Sequence, residues 1–108
     1  MPADAGMVRR RGVYKVPGGK LVAVEFAVTE GRLTDVVVTG DFFLYPEEAL
    51  PVLPASLEGA PITAGRAALA ARVAAGLPSG VELVGASPEA LAIAVERALH
   101  QPADEPAS

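Results

Sequence analysis

The amino-acid sequence predicts an α+β domain in which a three-stranded antiparallel meander sheet is followed by two to three helices packed on one of its faces. Three observations predict this class. The chain up to Thr39 contains three extended runs separated by short glycine-containing turns, and apolar residues recur with a period of two in the second run. Apolar residues at helical spacing appear only afterwards, most clearly beyond Pro88. Grouped strands followed by grouped helices are typical of a two-layer α+β domain.

The predicted strands cover residues 11–16, 20–29 and 33–39. In the second strand, one face carries Val22, Val24, Phe26 and Val28, and the other carries Ala23, Glu25 and Ala27. This alternation is typical of a strand with one well-buried face. The turns Pro17-Gly18-Gly19 and Glu30-Gly31 are short enough to require antiparallel hairpins at its two ends.

Helix signals begin after the third strand. Pro46 followed by Glu47 and Glu48 indicates a helix start, and Pro51 and Pro54 restrict that helix to short pieces. A second helix is predicted to begin with Thr63 as its N-cap and to end near Ala75, before Gly76 and Pro78.

Ser87-Pro88 indicates the start of a third helix, and the segment 81–85 before it is predicted to be extended. The third helix carries a complete apolar stripe consisting of Leu91, Ala94, Val95, Ala98 and Leu99. This stripe has the spacing of one helix face, so we expect the helix to cover the sheet.

Composition excludes several classes of function. The 108 residues carry a formal charge of −4, with a sequence pI near 4.9, and this argues against a nucleic-acid partner. Cysteine is absent, which excludes disulfides, thiolate metal sites and cysteine nucleophiles. The single histidine, His100, cannot build a multi-histidine metal site, so no metal site is expected.

The length suits one domain, which we expect to span residues 9–100. Residues 1–8 are predicted to form a flexible N-terminus, and the sequence QPADEPAS at 101–108 is typical of a disordered tail. No apolar run approaches the roughly 18 residues of a membrane span, and no secretory segment begins the chain. A cytoplasmic location without membrane contact is expected.

The glycine hairpin 14–21 is a candidate anion site because its two lysines, Lys15 and Lys20, flank Gly18 and Gly19. Strand order in a meander places this hairpin beside the corner where the third strand ends, which carries Gly40, Asp41, Phe42 and Phe43. We call these two segments together the rim. An interface between subunits is one interpretation of the rim.

The simpler interpretation is that Asp41 forms a surface salt bridge with a lysine, while Phe42 and Phe43 fill the core. For Phe43 we favour this core position. The hairpin is not a Walker motif, because Gly18-Gly19-Lys20 lacks the upstream glycine spacing and the following Ser or Thr, and it precedes a strand and not a helix. No Ser/His/Asp set has credible spacing either.

The hairpin 14–21, followed by Thr39-Gly40-Asp41-Phe42-Phe43 and then Pro46-Glu47-Glu48, resembles the C-terminal accessory domain of lipoate-protein ligase. The resemblance is to the form in which that domain is a separate small subunit, as in archaeal bipartite ligases. Segments 57–59 and 84–89 fit the same pattern, so the resemblance covers residues 13–99. It implies an α+β fold similar to sulfur-transfer and iron–sulfur scaffold proteins, without their cysteines.

The resemblance also implies a function. The accessory subunit is required, with a separate catalytic large subunit, for the ATP-dependent activation of lipoate to lipoyl-AMP. Transfer to the lysine of an acceptor lipoyl domain follows on the large subunit. ATP, Mg and lipoate are then bound in the complex, and this chain alone is neither catalytic nor a cofactor-binding protein.

In such a complex, Lys20 is the first candidate to assist the chemistry and Lys15 the second. Gly18, Gly19 and Lys20 are expected near the adenylate, and Gly40, Asp41, Phe42 and Phe43 at the interface. Two alternatives remain open. The chain is a docking module without influence on chemistry, or, with less support, it is a carrier domain lipoylated on Lys20.

Overall fold

The computed structural model describes residues 9–100 as an antiparallel three-stranded sheet, a small two-stranded sheet and three helices. The predicted α+β class is therefore confirmed, and the two-stranded sheet adds to it. The predictions for residues 1–8 and 101–108 lie outside the described residues. Within residues 9–100, no helix is long and apolar enough to cross a membrane.

The large sheet has the order β1-β2-β3, with strands β1 (Arg9–Lys15), β2 (Leu21–Thr29) and β3 (Arg32–Gly40). The meander is confirmed, and each outer strand is longer than the sequence predicted. On β2 the larger side chains Val22, Val24 and Phe26 are completely buried, as their alternation indicates. Ala23 and Ala27 on the other face are almost fully buried too.

A β-bulge interrupts the pairing of β2 with β3. Glu25 pairs with Val37 and Ala27 pairs with Thr34, so two residues of β3 face Phe26 alone. These two residues, at positions 35 and 36, donate their backbone N–H groups to the Glu58 carboxylate at 3.0 and 3.2 Å. A side chain from outside the sheet thus satisfies the backbone of the bulge.

Helical structure follows in four segments. A 3₁₀ turn (Glu47–Ala49) and α1 (Val52–Leu57) are the short pieces that the prolines predict. α2 (Arg66–Gly76) begins with Gly65 as its N-cap, so the prediction of Thr63 at that position is wrong. The segment before α2 is instead held at the β2–β3 turn, where Ile62 N–H donates to Gly31 C=O at 2.9 Å.

α3 (Pro88–His100) begins as predicted, with the Ser87 hydroxyl accepting a hydrogen bond from Ala90 N–H at 3.1 Å. It packs on β1 and β2, α2 packs on α3, and α1 packs on α2 and β3. In the apolar stripe of α3, the side chains of Leu91, Ala94, Val95 and Ala98 are completely buried, and Leu99 packs against the core.

Gly12 allows α3 to lie directly against β1. A Cβ at this position would collide with the carbonyl oxygen of Ala94 and would lie 2.6 Å from the amide nitrogen of Ala98. Both obstacles are backbone atoms, which cannot move aside as a side chain does. A glycine in β1 therefore determines how closely the main helix approaches the sheet.

Candidate functional site

The structure brings the predicted rim together. The hairpin closes with hydrogen bonds from Gly19 N–H to Val16 C=O at 2.8 Å and from Val16 N–H to Lys20 C=O at 3.1 Å. Asp41 N–H donates to Leu21 C=O at 3.0 Å. The first hairpin and the corner after β3 are therefore neighbours, as the meander topology predicts.

A third segment, Gly85, joins the rim. Its carbonyl oxygen accepts a hydrogen bond from Lys20 N–H at 3.1 Å. Gly85 has a φ of +89°, and a Cβ there would lie 2.7 Å from Cγ of Lys20 and 3.6 Å from Cα of Phe42. The stem of Lys20 thus packs over Gly85. Glycine suits this position because its φ is positive and because a side chain there would collide with the stem of Lys20.

Lys15, Lys20 and Asp41 are all exposed at the rim. Within residues 9–100 the ion pairs are Arg9–Glu25 at 3.0 Å and Arg66–Glu96 at 2.9 Å. The salt bridge that the simpler interpretation places between Asp41 and one of the lysines is therefore not formed. The two ammonium groups and the carboxylate remain in solvent contact at one end of the sheet.

From Phe43 onward the rim continues into a small second sheet, whose pairing the sequence did not predict. β4 (Phe43–Tyr45) pairs antiparallel with β5 (Glu82–Val84), and Phe43 lies opposite Val84. The prediction that 81–85 is extended is confirmed by β5. Leu44 points into the core and is almost fully buried.

The outer side of this small sheet carries Phe43, Tyr45 and Val84, which we call the aromatic face. Phe43 is 52% exposed, Tyr45 50% and Val84 39%. The two rings stack with centroids 6.4 Å apart and planes inclined by 16°. The expected core position of Phe43 is wrong, because the two-residue period of β4 directs Leu44 inward and its neighbours outward. Phe42 is half-buried and packs against the core.

A second apolar surface lies at the edge of β3. A groove of about 580 Å³ separates β3 from the 3₁₀ turn and α1. We call it the β3 groove; its lining consists of Val36, Val37, Val38, Glu47, Glu48, Leu50, Pro51 and Pro54. Val37 is 47% exposed and Leu50 44%. The two carboxylates are the charged groups of this lining.

Catalytic machinery is sparse in the described part of the chain. Every charged side chain between residues 9 and 100 is at least partly exposed. That range contains no group of three or more His, Cys, Asp or Glu side chains arranged to hold a metal ion. His100 lies at the end of α3, where its Nδ1 is 2.8 Å from the Glu96 carbonyl oxygen.

Comparison with known proteins agrees with this fold. No family model and no curated protein sequence matches the chain. A solved structure of an archaeal lipoylation system from Thermoplasma acidophilum, described as a bipartite lipoate protein ligase and its E2 lipoyl domain, contains a similar chain. The two chains are 25% identical, with a TM-score of 0.60, over 82% of this chain and 93% of the other. The resemblance to the lipoate ligase system is confirmed.

Proposed function

We propose that this chain is the accessory subunit of a lipoate protein ligase and is required by a separate catalytic subunit to activate lipoate as lipoyl-AMP. The observation that supports the proposal is the similarity to a chain of the Thermoplasma system over 82% of this chain and 93% of the other. That system comprises a ligase and a lipoyl domain. Lipoyl domains are all-β sandwiches, whereas this chain places three helices after its sheet, and this difference favours the ligase.

The aromatic face provides the contact with the catalytic subunit. Stacked, half-exposed aromatic rings are typical anchors of protein interfaces, because they bury a large apolar area with few rotatable bonds. The rim lies beside this face, since Phe42 connects Gly40 and Asp41 to β4. Docking through the aromatic face therefore brings Gly18, Gly19 and Lys20 close to the same partner.

The chemistry of the first step explains what the rim adds. The lipoate carboxylate attacks the α-phosphate of ATP, pyrophosphate leaves, and lipoyl-AMP forms. This step brings two anions together, so an ammonium group or backbone N–H groups at that place lower its barrier. Lys20 is the first candidate for this role and Lys15 the second. Mg²⁺ and ATP belong in this proposal to the catalytic subunit.

The aromatic face and Lys20 predict different kinetic effects in lipoyl-AMP formation by the purified catalytic subunit of the same organism. The catalytic subunit is titrated with this chain or with its double variant Phe43→Ala/Tyr45→Ala. The double variant raises the chain concentration needed for half-maximal rate at least tenfold and retains the maximal rate. Lys20→Ala lowers the maximal rate at an unchanged half-maximal concentration, and Lys20→Arg restores much of it.

The same titration distinguishes the alternatives. A pure docking module predicts that Lys20→Ala and Lys15→Ala both retain the full maximal rate, which would reduce the lysines to turn residues. A carrier domain predicts a covalent product. Intact mass after incubation with ligase, ATP and lipoate would then show a lipoyl adduct on Lys20, and that result would overturn the proposed function.

A further inference from the structure

β3 is an edge strand, and its outer edge is covered along only half of its length. In the covered half, Leu33 N–H donates to Ala60 C=O at 2.9 Å and Gly59 N–H donates to Leu33 C=O at 2.8 Å. The Glu58 carboxylate then takes the N–H groups of residues 35 and 36. Beyond Val36 this cover ends, and the β3 groove begins.

The register determines where the backbone groups of Val38 point. Leu21 and Asp41 form a hydrogen-bonded pair, and Val24 lies opposite Val38 three positions further along β2. Hydrogen-bonded and non-hydrogen-bonded pairs alternate in an antiparallel ladder, so Val38 directs its N–H and C=O away from β2. The N–H of Val36, two residues earlier, points to the same side and reaches Glu58.

Within residues 9–100, no hydrogen bond from another element reaches the N–H or C=O of Val38. These groups open onto a groove whose apolar lining includes the exposed side chains of Val37 and Leu50. An unpaired edge beside apolar pockets is the arrangement that accepts an added strand. Backbone hydrogen bonds then supply affinity, and the pockets take alternate side chains.

The negative charge of the β3 groove indicates what kind of segment can bind there. Glu47 and Glu48 are exposed at its margin, and no lysine or arginine belongs to its lining. Two carboxylates repel the carboxylate of lipoate and the phosphates of ATP. They also disfavour a second copy of this chain, whose own Glu47 and Glu48 would meet them across a symmetric edge. A cationic, otherwise apolar segment is complementary.

We propose that the β3 groove binds an extended segment of the catalytic subunit, which adds as a strand to the edge of β3 at Val38 and places a lysine or arginine beside Glu47 and Glu48. This inference rests on the proposed function. The segment accepts a hydrogen bond from Val38 N–H and donates one to Val38 C=O, and its alternate apolar side chains contact Val37 and Leu50.

Amide exchange of the ¹⁵N-labelled chain, measured by NMR with and without the catalytic subunit, tests strand addition. The Val38 amide exchanges at least tenfold more slowly in the complex. The amides of Val37 and Thr39, which already bond within the sheet, change much less. Unchanged exchange at Val38 in a fully formed complex would overturn the inference while leaving the proposed function intact.

Matched variants test the side chains. Val37→Lys and Glu47→Lys/Glu48→Lys each weaken binding to the catalytic subunit at least tenfold, and the effect of the charge reversal diminishes at high salt. Ile62→Lys and Glu30→Lys, at exposed sites outside the groove, leave binding unchanged. Equal binding by groove and control variants would exclude the groove as the docking site.

Self-association of the chain in analytical ultracentrifugation, if abolished by Val37→Lys, would assign the groove to a second copy and overturn the inference. Shifts of Val37 and Leu50 resonances on addition of lipoate alone would do the same in favour of a small molecule. Failure of the chain to bind the catalytic subunit at all would instead contradict the proposed function, so the two failures are distinguishable.

Discussion

Replacement of Gly85 by alanine separates the role of the rim from the stability of the fold. At φ +89°, an L-residue incurs about 1–2 kcal/mol of strain. Alanine also lowers the conformational entropy of the unfolded chain, which offsets about 0.5 kcal/mol of this loss. The expected net loss is about 1 kcal/mol, which lowers the melting temperature by about 4–8 °C for a domain of this size. The new methyl group also meets Cγ of Lys20 at 2.7 Å, so the lysine stem moves off the rim.

Gly80→Ala is the matched control. Gly80 has a φ of +87°, and a Cβ there meets no atom within 4 Å. Both variants should lose similar free energy of unfolding, measured by urea denaturation. At a temperature where both are folded, Gly85→Ala should lower the maximal rate of lipoyl-AMP formation, and Gly80→Ala should leave it unchanged. Equal rates for the two variants would refute the placement of Lys20 at the working part of the rim.

Three further predictions concern the framework that holds the rim and the groove. Gly12→Ala should lower the free energy of unfolding, measured by urea denaturation, by about 1–3 kcal/mol, because its Cβ meets the backbone of α3. Its control, Gly65→Ala, places a Cβ in open space and should lower it by less than about 1 kcal/mol. Ser87→Ala should cost about 1 kcal/mol through loss of the α3 N-cap, and Ser87→Asp should restore it. Glu58→Ala should cost about 1 kcal/mol and speed amide exchange at residues 35 and 36, and Glu58→Gln should have the smaller effect. If a variant and its matched control lost the same free energy of unfolding, the contact that the pair tests would be contradicted.

The parts of the fold that sequence predicted are those with a strong local period or a specific cap. The alternation from Val22 to Val28 and the stripe on α3 each repeat several times, so tertiary context does not override them. Ser87-Pro88 combines a side-chain acceptor with a residue suited to the first helical position. The proximity of Lys20 and Asp41 followed from meander topology, which requires no side-chain detail.

The missed features depend on contacts distant in sequence. β4 and β5 have three residues each, too few to establish a period, so the sequence does not indicate that Phe43 points outward. Thr63 had the residue type of an N-cap, but pairing of its neighbour Ile62 with the β2–β3 turn delays the helix. The β3 groove lies between β3 and the segment that contains Glu47 and Pro54, and the bulge is held by Glu58 from outside the sheet. Both depend on contacts that no local sequence pattern indicates.

In the proposed function, a catalytic subunit needs this chain to activate lipoate. The most direct measurement is the rate of lipoyl-AMP formation by the purified catalytic subunit of the same organism, with ATP and lipoate, in the absence and presence of this chain. We expect a negligible rate for the catalytic subunit alone and a rise to a plateau as the chain is added. A full rate without the chain would contradict it.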